Sequence, residues 1–116
     1  MEKDLRISIR NMEVPPVIEL DGELDAYTCG QLRDAMLDII RDDSPTIIIN
    51  MLRLQYMDSS GLGTLVAGLK RASEHNGRIA VVCTNPQIRK VFEITGLVRV
   101  FPLYDSEEEV GGDIRP

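Results

Sequence analysis

Two adjacent hydroxyl side chains, Ser59 and Ser60, are the residues of this chain best placed to do chemistry. They lie in the segment 56–63, Y-M-D-S-S-G-L-G, between an apolar run and a segment with leucines at helical spacing. The apolar run, 46–51, lacks alternation, as expected of a strand covered on both faces in a parallel sheet. Open α/β sheets usually place their sites at the carboxyl ends of such strands. The pattern predicts a hydroxyl pair at the mouth of a helix, where a serine can be phosphorylated and the change recognised.

A simpler explanation is that Asp58, Ser59 or Ser60 merely caps this helix with a side-chain oxygen. For an isolated D-S-S-G sequence, a cap is the more common role. Capping does not explain Gly61 and Gly63, because each glycine in a helix costs about 1 kcal/mol relative to alanine. The glycines predict that something approaches the backbone closely, either another element of the fold or a partner.

Length and charge limit the classes of function. With 116 residues, 43% of them hydrophobic, the chain suits one compact domain over residues 1–116 and has no room for a second. Its formal charge of −6 argues against nucleic acid, whose phosphates require a basic patch. No apolar run approaches the roughly 18 residues of a membrane span. We expect a cytoplasmic protein without membrane contact, monomeric when free, whose partner is another protein.

The rest of the sequence does not support an enzymatic role for the serines. A nucleophilic serine requires a base within hydrogen-bond reach. The only histidine, His75, lies sixteen positions beyond Ser59 on the same predicted helix, which is about 24 Å at 1.5 Å per residue. The G-x-S-x-G elbow of hydrolases and the phosphate-binding loop of nucleotide hydrolases are also missing. We expect no enzymatic activity.

Metal and cofactor chemistry is weakly indicated. Four carboxylates could in principle form a cation site, namely Asp21, Glu23, Asp25 and Asp58. Solvated carboxylates at strand ends are far more common than ligands, so we expect no metal and no other cofactor. Cys29 and Cys83 fall on apolar stripes without nearby histidines, which favours reduced, buried side chains.

The apolar patterns predict an α/β fold with the order β-β-α-β-α-β-α-β-α. Residues 5–10 alternate at period two, and after a Pro15-Pro16 break 17–21 continues as a second strand, as in a hairpin with a long turn. The first helix follows and ends near 42–45, before a proline. Thr28 and Gln31 have the spacing of a capping box at its start, and Asp25 is an alternative cap.

The remaining elements follow the same logic. A strand at 46–51 and a helix from about 59 to 75, closed by Asn76-Gly77, precede a third buried strand at 78–83. Asn85 and Pro86 begin the next helix, which Gly96 stops; its predicted inward residues are Ile88, Val91, Phe92 and Thr95. A strand at 98–101 and a small helix at 106–110 lead to a frayed tail at 111–116. Strands joined through helices pair in parallel, so we predict a mixed, mostly parallel sheet packed against helices.

Leu62 has two interpretations. Its spacing with Leu65, Val66 and Leu69 favours a core position. Because it lies where the apolar stripe meets the helix mouth, it could instead be a knob offered to a partner. The sequence does not decide between them.

The chain resembles the STAS-domain anti-sigma-factor antagonists of bacteria over about residues 5–104. The segment 56–63 is similar to the phosphorylation loop of that family, and Gly22-Glu23-Leu24-Asp25 is similar to its G-E-L-D motif. Further likeness comes from the strand at 47–50, I-I-I-N, and from the segments 85–86, 91–92 and 95–97. These features occur in the family's order and spacing. The resemblance implies a single STAS-like domain.

What the resemblance implies is partner switching. In that family, the first serine of the D-S-S-G string, here Ser59, is phosphorylated by an anti-sigma factor that is itself a serine kinase. The unmodified antagonist binds the anti-sigma factor and frees a sigma factor, and a protein serine phosphatase resets the phosphorylated form. By the same analogy the contact zone comprises Asp25, Asp58, Ser60, Gly61, Leu62 and Gly63.

Two rival functions remain open from sequence. One is a STAS scaffold or accessory subunit in a signalling assembly or a membrane transport system. The other is a small-ligand binder, for example of a nucleotide, at the anion-friendly helix mouth. The absence of a basic residue from the loop itself argues against high affinity for phosphates.

Overall fold

The predicted element order is confirmed. A computed structural model describes residues 4–10, 13–40 and 46–114, with side chains up to residue 111. The strands are β1 (Leu5–Arg10), β2 (Val17–Leu24), β3 (Thr46–Met57), β4 (Arg78–Val82) and β5 (Leu103–Tyr104). The helices are α1 (Cys29–Ile39), α2 (Ser59–Glu74), α3 (Pro86–Ile94) and α4 (Glu107–Ile114), with a short 3-10 helix at Leu97–Arg99.

The five strands form one sheet in the order β1-β2-β3-β4-β5. β1 and β2 pair antiparallel, and the other neighbours pair in parallel, so the mixed, mostly parallel sheet is confirmed. Gly22 of β2 pairs with Leu5 and has a φ of 125°. A Cβ there would lie 2.1 Å from the Asp4 carbonyl oxygen, so only glycine fits this position.

Helices cover the two faces of the sheet unequally. The larger core lies on one face, where buried side chains of α1, α2 and α3 meet strand residues such as Leu20 and Ile49. On the other face, Val17, Ile48, Ala80 and Val82 pack with Val110 of α4. Successive isoleucines of β3 therefore enter different cores, which explains the apolar run without alternation.

Both β2 and β3 continue three to six residues beyond their predicted ends, to Leu24 and Met57. The register between them shifts twice, between Glu19 and Asp21 and between Gly22 and Glu23. Along this part of β3 the buried residues are Met51, Leu54 and Met57, with exposed residues between them. Because the register shifts insert extra residues, burial no longer alternates, and the extension was not recognisable as a strand.

The prediction of a strand at 98–101 is wrong. Gly96, with a φ of 76°, ends α3 as predicted, but the 3-10 helix follows, and β5 lies at Leu103–Tyr104. Of the apolar residues in this segment, Val98 and Val100 are exposed, and Phe101 packs edge-on against Phe92 at 5.7 Å between ring centroids. The apolar run is explained by one buried side chain, that of Phe101, rather than by a strand.

Several smaller predictions can be compared with the structure. Asn85 caps α3 as predicted, accepting from the Gln87 N–H at 2.9 Å. Thr95 does not face inward; it is exposed, and its hydroxyl donates to the Val91 carbonyl oxygen at 2.7 Å.

The ends of the first two helices were also predicted. α2 ends one residue before His75, and Asn76 closes it with a φ of 64°. Residues 42–45, where the first helix was expected to end, lie outside the described part of the chain.

α4 corrects the prediction of a frayed tail for residues 111–114, which are helical. Its first residue, Glu107, accepts hydrogen bonds from Arg10 of β1 and Asn50 of β3 through the same oxygen. Burial raises the pKa of Glu107, but the hydrogen bonds from Arg10 and Asn50 lower it by more, so its net pKa lies below the ordinary value. This contact and the burial of Val110 hold α4 on the sheet.

Candidate functional site

The helix mouth at the carboxyl end of β3 is capped by Asp58. Its backbone is extended, and its Oδ1 accepts from the N–H groups of Ser60 at 2.9 Å and Gly61 at 3.1 Å. Among the three candidate caps, the aspartate therefore fills the role. Ser59 is the first residue of α2 and is exposed, while Ser60 is half-buried.

β2 ends beside this helix mouth. The Asp58 N–H donates to the Leu24 carbonyl oxygen at 3.2 Å, in line with the pairing of Leu24 and Met57 across the strands. A Cβ on Gly61 would lie 2.7 Å from Leu24 Cγ and 3.0 Å from its carbonyl oxygen. Gly61 is thus required by the fold, because the end of β2 passes against the first turn of α2.

Gly63 differs from Gly61. It is exposed, and a Cβ built on it would meet nothing within 4 Å. The described fold therefore supplies no steric reason for a glycine at this position. At Gly61 another element of the fold does approach the backbone, as expected. No described residue approaches Gly63 in this way.

Asp25 lies in a tight turn immediately after β2 and is only 9% exposed. Its Oδ1 accepts from the N–H groups of Tyr27 at 2.9 Å and Thr28 at 3.1 Å. The Thr28 hydroxyl donates to the Glu23 carbonyl oxygen at 2.8 Å and accepts from the Asp25 N–H at 2.9 Å. These bonds fix the turn that joins β2 to α1.

The capping-box prediction for α1 is wrong. Thr28 occupies the cap position but makes no side-chain cap hydrogen bond, because its hydroxyl is turned back towards β2. Asp25 does not cap the first turn of α1 either, since its carboxylate bonds to N–H groups in the preceding turn. The polar side chains here serve the turn rather than the helix.

Two tyrosines near the helix mouth were not predicted as site residues. Tyr27, in the turn held by Asp25, is 95% exposed, and Tyr56, two residues before Asp58, is 47% exposed. Only 4% of the chain is aromatic. An aromatic residue two positions after the G-E-L-D segment was therefore a signal that the sequence offered.

Leu62 lies at the boundary between the core and the surface. It is half-buried and packs against the larger core, as Leu69 does, while Leu65 is fully buried. Val66, which the apolar spacing assigned to the same stripe, is 40% exposed. The outward side of α2 therefore carries Ser59, Gly63 and Val66 at spacings of three and four residues.

Catalytic and metal-binding groups are not assembled at this site. His75 lies at the opposite end of α2, as the sequence indicated. Within the described ranges, no group of three or more histidine, cysteine, aspartate or glutamate side chains could hold a metal ion. Cys83 is fully buried, which raises the pKa of its thiol, and Cys29 is half-buried. No helix in the described part of the chain is long and apolar enough to cross a membrane.

Comparisons with known proteins agree with this architecture. The STAS domain family matches residues 6–110. The chain is 32% identical over 105 residues to the anti-sigma F factor antagonist of Paenibacillus polymyxa, covering 90% of each protein. It is 34% identical over 91 residues to the anti-sigma-B factor antagonist of Staphylococcus aureus, covering 78% of this chain and 84% of that protein. The chain is a member of the STAS domain family.

Solved structures of two proteins illustrate the similarity of the fold. An anti-sigma factor antagonist from Mycobacterium paratuberculosis has a TM-score of 0.87 at 25% identity, covering 97% of this chain and 96% of that one. The Bacillus cell fate determinant SpoIIAA, solved unphosphorylated and phosphorylated, is 31% identical, with TM-scores of 0.76 and 0.75. These matches cover 95% of this chain and 96% and 100% of the two SpoIIAA chains. The single STAS-like domain expected from the sequence is confirmed.

Proposed function

We propose that this protein is an anti-sigma-factor antagonist controlled by phosphorylation of Ser59. Its unmodified form binds an anti-sigma factor that is also a serine kinase, and this binding releases a sigma factor. The kinase phosphorylates Ser59 and thereby ends the complex, and a protein serine phosphatase restores the binding form. The chain acts in the cytoplasm by binding rather than by catalysis, without a cofactor or nucleic acid.

The observation that carries this proposal is that the cap of α2 and the exposed serine are two different residues. Asp58 satisfies the N–H groups of Ser60 and Gly61, so the Ser59 hydroxyl is not needed to cap α2. Ser59 is exposed and begins the helix. A kinase can therefore reach and modify this hydroxyl without removing a structural hydrogen bond. The relatives named as anti-sigma factor antagonists, and SpoIIAA in its two phosphorylation states, support the same assignment.

Phosphorylation at this position acts on the surface. A phosphoserine adds about −1.5 to −2 charges and three acceptor oxygens. The positive end of the α2 dipole favours a negative group at its first residue. The neighbouring Asp58 carboxylate is itself negative and already bonds to two N–H groups, so the modified loop presents two adjacent anionic groups to a partner.

The energetic size of the switch follows from the cost of disturbing a docked charged contact, about 2 to 5 kcal/mol. That range corresponds to a loss of about 30-fold to several thousand-fold in affinity. We therefore assign the off state to steric and charge exclusion at the interface, with the fold intact.

The proposed contact zone centres on the helix mouth. It comprises Asp58, Ser60, Gly61, Leu62 and Gly63, with Asp25 beside them. Gly63 supports the placement most directly, because it is exposed and its missing side chain leaves space that no described residue uses. Leu62 contributes its exposed part, and Asp25 acts mainly by holding the adjoining turn.

The first experiment is a comparison of binding by four forms of the protein immobilised in parallel: wild type, Ser59→Ala, Ser59→Asp and Ser73→Asp. Ser73 is exposed near the far end of α2, so its substitution is the matched charge control. We expect wild type, Ser59→Ala and Ser73→Asp to retain a serine-kinase anti-sigma factor from native cells, and Ser59→Asp to lose it. Intact-mass analysis with peptide mapping should find phosphate on Ser59.

The alternative is the scaffold or transport-accessory role considered from the sequence. It predicts an unmodified Ser59 under every growth condition and capture of membrane or transport components by all four forms. That result would replace the proposed function.

A further inference from the structure

An exposed aromatic side chain stands beside the helix mouth without a role in the fold. Tyr27 is 95% exposed, so its ring contributes almost nothing to either core. By contrast, Phe92 and Phe101 pack against each other inside the protein. A large ring left entirely in water is best explained by an external contact, since tyrosine is enriched among the residues that dominate protein interfaces.

The backbone beneath Tyr27 is held rigidly. Its N–H donates to Asp25 Oδ1 at 2.9 Å, and the next N–H, of Thr28, donates to the same oxygen at 3.1 Å. The Thr28 hydroxyl ties this turn to the Glu23 carbonyl oxygen at 2.8 Å. A turn fixed in this way presents its side chain without a large loss of backbone entropy on binding.

Tyr27 also lies close to the phosphorylatable serine. Leu24, whose carbonyl oxygen accepts from the Asp58 N–H, is three residues before Tyr27, a span of at most about 11 Å along the backbone. A standard interface buries about 800 Å² on each partner, equivalent to a disc of about 16 Å radius. An interface of that size that covers the helix mouth can therefore extend to the turn that carries Tyr27.

We infer that Tyr27 is an aromatic anchor of this protein for the anti-sigma factor, inserted into an apolar pocket on that partner. This inference rests on the proposed function and adds a contact that neither the serine loop nor the glycines supply. Asp25 then acts as a positioning residue, because its carboxylate accepts the hydrogen bonds that hold the turn carrying Tyr27. The ring provides the affinity, while Ser59 provides the control.

The test measures the affinity of purified variants for the anti-sigma factor that wild type retains and Ser59→Asp does not. Tyr27→Ala removes the ring, and Tyr27→Phe keeps it without the hydroxyl. Ile94→Ala is the matched control, because Ile94 is 73% exposed at the carboxyl end of α3, which runs back from the strand ends. The melting temperature of each variant is measured as well. It should be unchanged for Tyr27→Ala, because the Tyr27 side chain is almost fully in solvent.

We expect Tyr27→Ala to weaken binding at least tenfold, and typically about 30-fold for an interface anchor. Tyr27→Phe and Ile94→Ala should stay within about fivefold of wild type. A loss below tenfold for Tyr27→Ala, or an equal loss for Ile94→Ala or Tyr27→Phe, overturns the anchor and leaves the Ser59 switch standing. Failure of wild type to retain any anti-sigma factor overturns the proposed function, and the anchor with it.

Discussion

At the first turns of α2, two glycines two positions apart experience different surroundings. A Cβ on Gly61 would press on the fully buried Leu24, whereas one on Gly63 would meet open space. We expect Gly61→Ala to lower the free energy of unfolding by about 1–3 kcal/mol through overpacking. Gly63→Ala should raise it by about 0.5–1 kcal/mol through better helix propensity. Urea denaturation measures both, and changes of the same sign would contradict the assignment.

For affinity, the informative variant of this pair is Gly63→Ala. A stabilised Gly63→Ala protein that binds the anti-sigma factor less tightly would show that its glycine serves a partner rather than the fold. Undiminished binding would remove Gly63 from the proposed contact zone.

The cap and the proposed phosphorylation site can be separated by a second pair of substitutions. Asp58→Ala removes an acceptor for two N–H groups and should reduce the free energy of unfolding by about 0.5–2 kcal/mol. Ser59→Ala, at an exposed position, should change it by less than about 0.5 kcal/mol. Thermal or urea unfolding compares them directly. An equal loss for both would mean that Ser59 shares the capping role.

At the level of elements, α4 is attached to the sheet through Glu107. Its pKa is lower in the folded protein than the ordinary value of 4.5, because the gain from the Arg10 and Asn50 hydrogen bonds exceeds the effect of burial. A lowered folded pKa stabilises the fold above about pH 4.5 and loses that contribution as the pH falls through the folded value. Glu107→Gln should therefore cost about 1 kcal/mol near neutral pH and progressively less below pH 4.5.

Urea unfolding of wild type and Glu107→Gln across this pH range measures the effect. Glu108→Gln is the matched control, because Glu108 is exposed on the same helix and should differ from wild type by less than about 0.5 kcal/mol at neutral pH. A constant difference between Glu107→Gln and wild type from pH 7 to pH 3 would exclude the ionic contribution.

Sequence patterns predicted elements best where a single rule controls burial. The isoleucine run of β3 and the Asn85-Pro86 start of α3 were recognised because two-sided burial and helix capping leave local signatures. The end of β3 was missed, since register shifts against β2 replace alternation by burial at every third residue. Local sequence also could not show that the Thr28 hydroxyl bonds back to β2, because that contact depends on how β2 and α1 meet.

The sequence predicted that α2 begins in the D-S-S-G segment, which the structure confirms, but it did not show which residue caps the helix. Three neighbouring residues had side chains able to cap α2, and only the extended backbone of Asp58 selects it. Likewise, both glycines carry the same penalty in helix propensity, but only Gly61 is required by the packing of Leu24. The sequence could not show this difference. Tyr27 was overlooked because exposure is a property of the assembled turn.

For the whole molecule, we expect the switch to leave the fold unchanged. Ser59→Asp places a negative charge at the favourable end of the α2 dipole, so its free energy of unfolding should equal that of wild type or exceed it by up to about 1 kcal/mol. Far-UV circular dichroism and urea unfolding test this. Loss of the helical signal would mean that phosphorylation acts by unfolding, and the interface mechanism would then be wrong.

If Ser59 is phosphorylated as proposed, the capping of α2 by Asp58 would also affect how long the phosphorylated protein persists. Degradation of a folded protein depends on how often it opens, which follows its free energy of unfolding. Because the Ser59 hydroxyl does not cap the helix, a phosphorylated form should open no more often than the unmodified form and should survive at least as long. A cell would then set its response by the modified fraction of a constant pool, and could reverse that response without new synthesis.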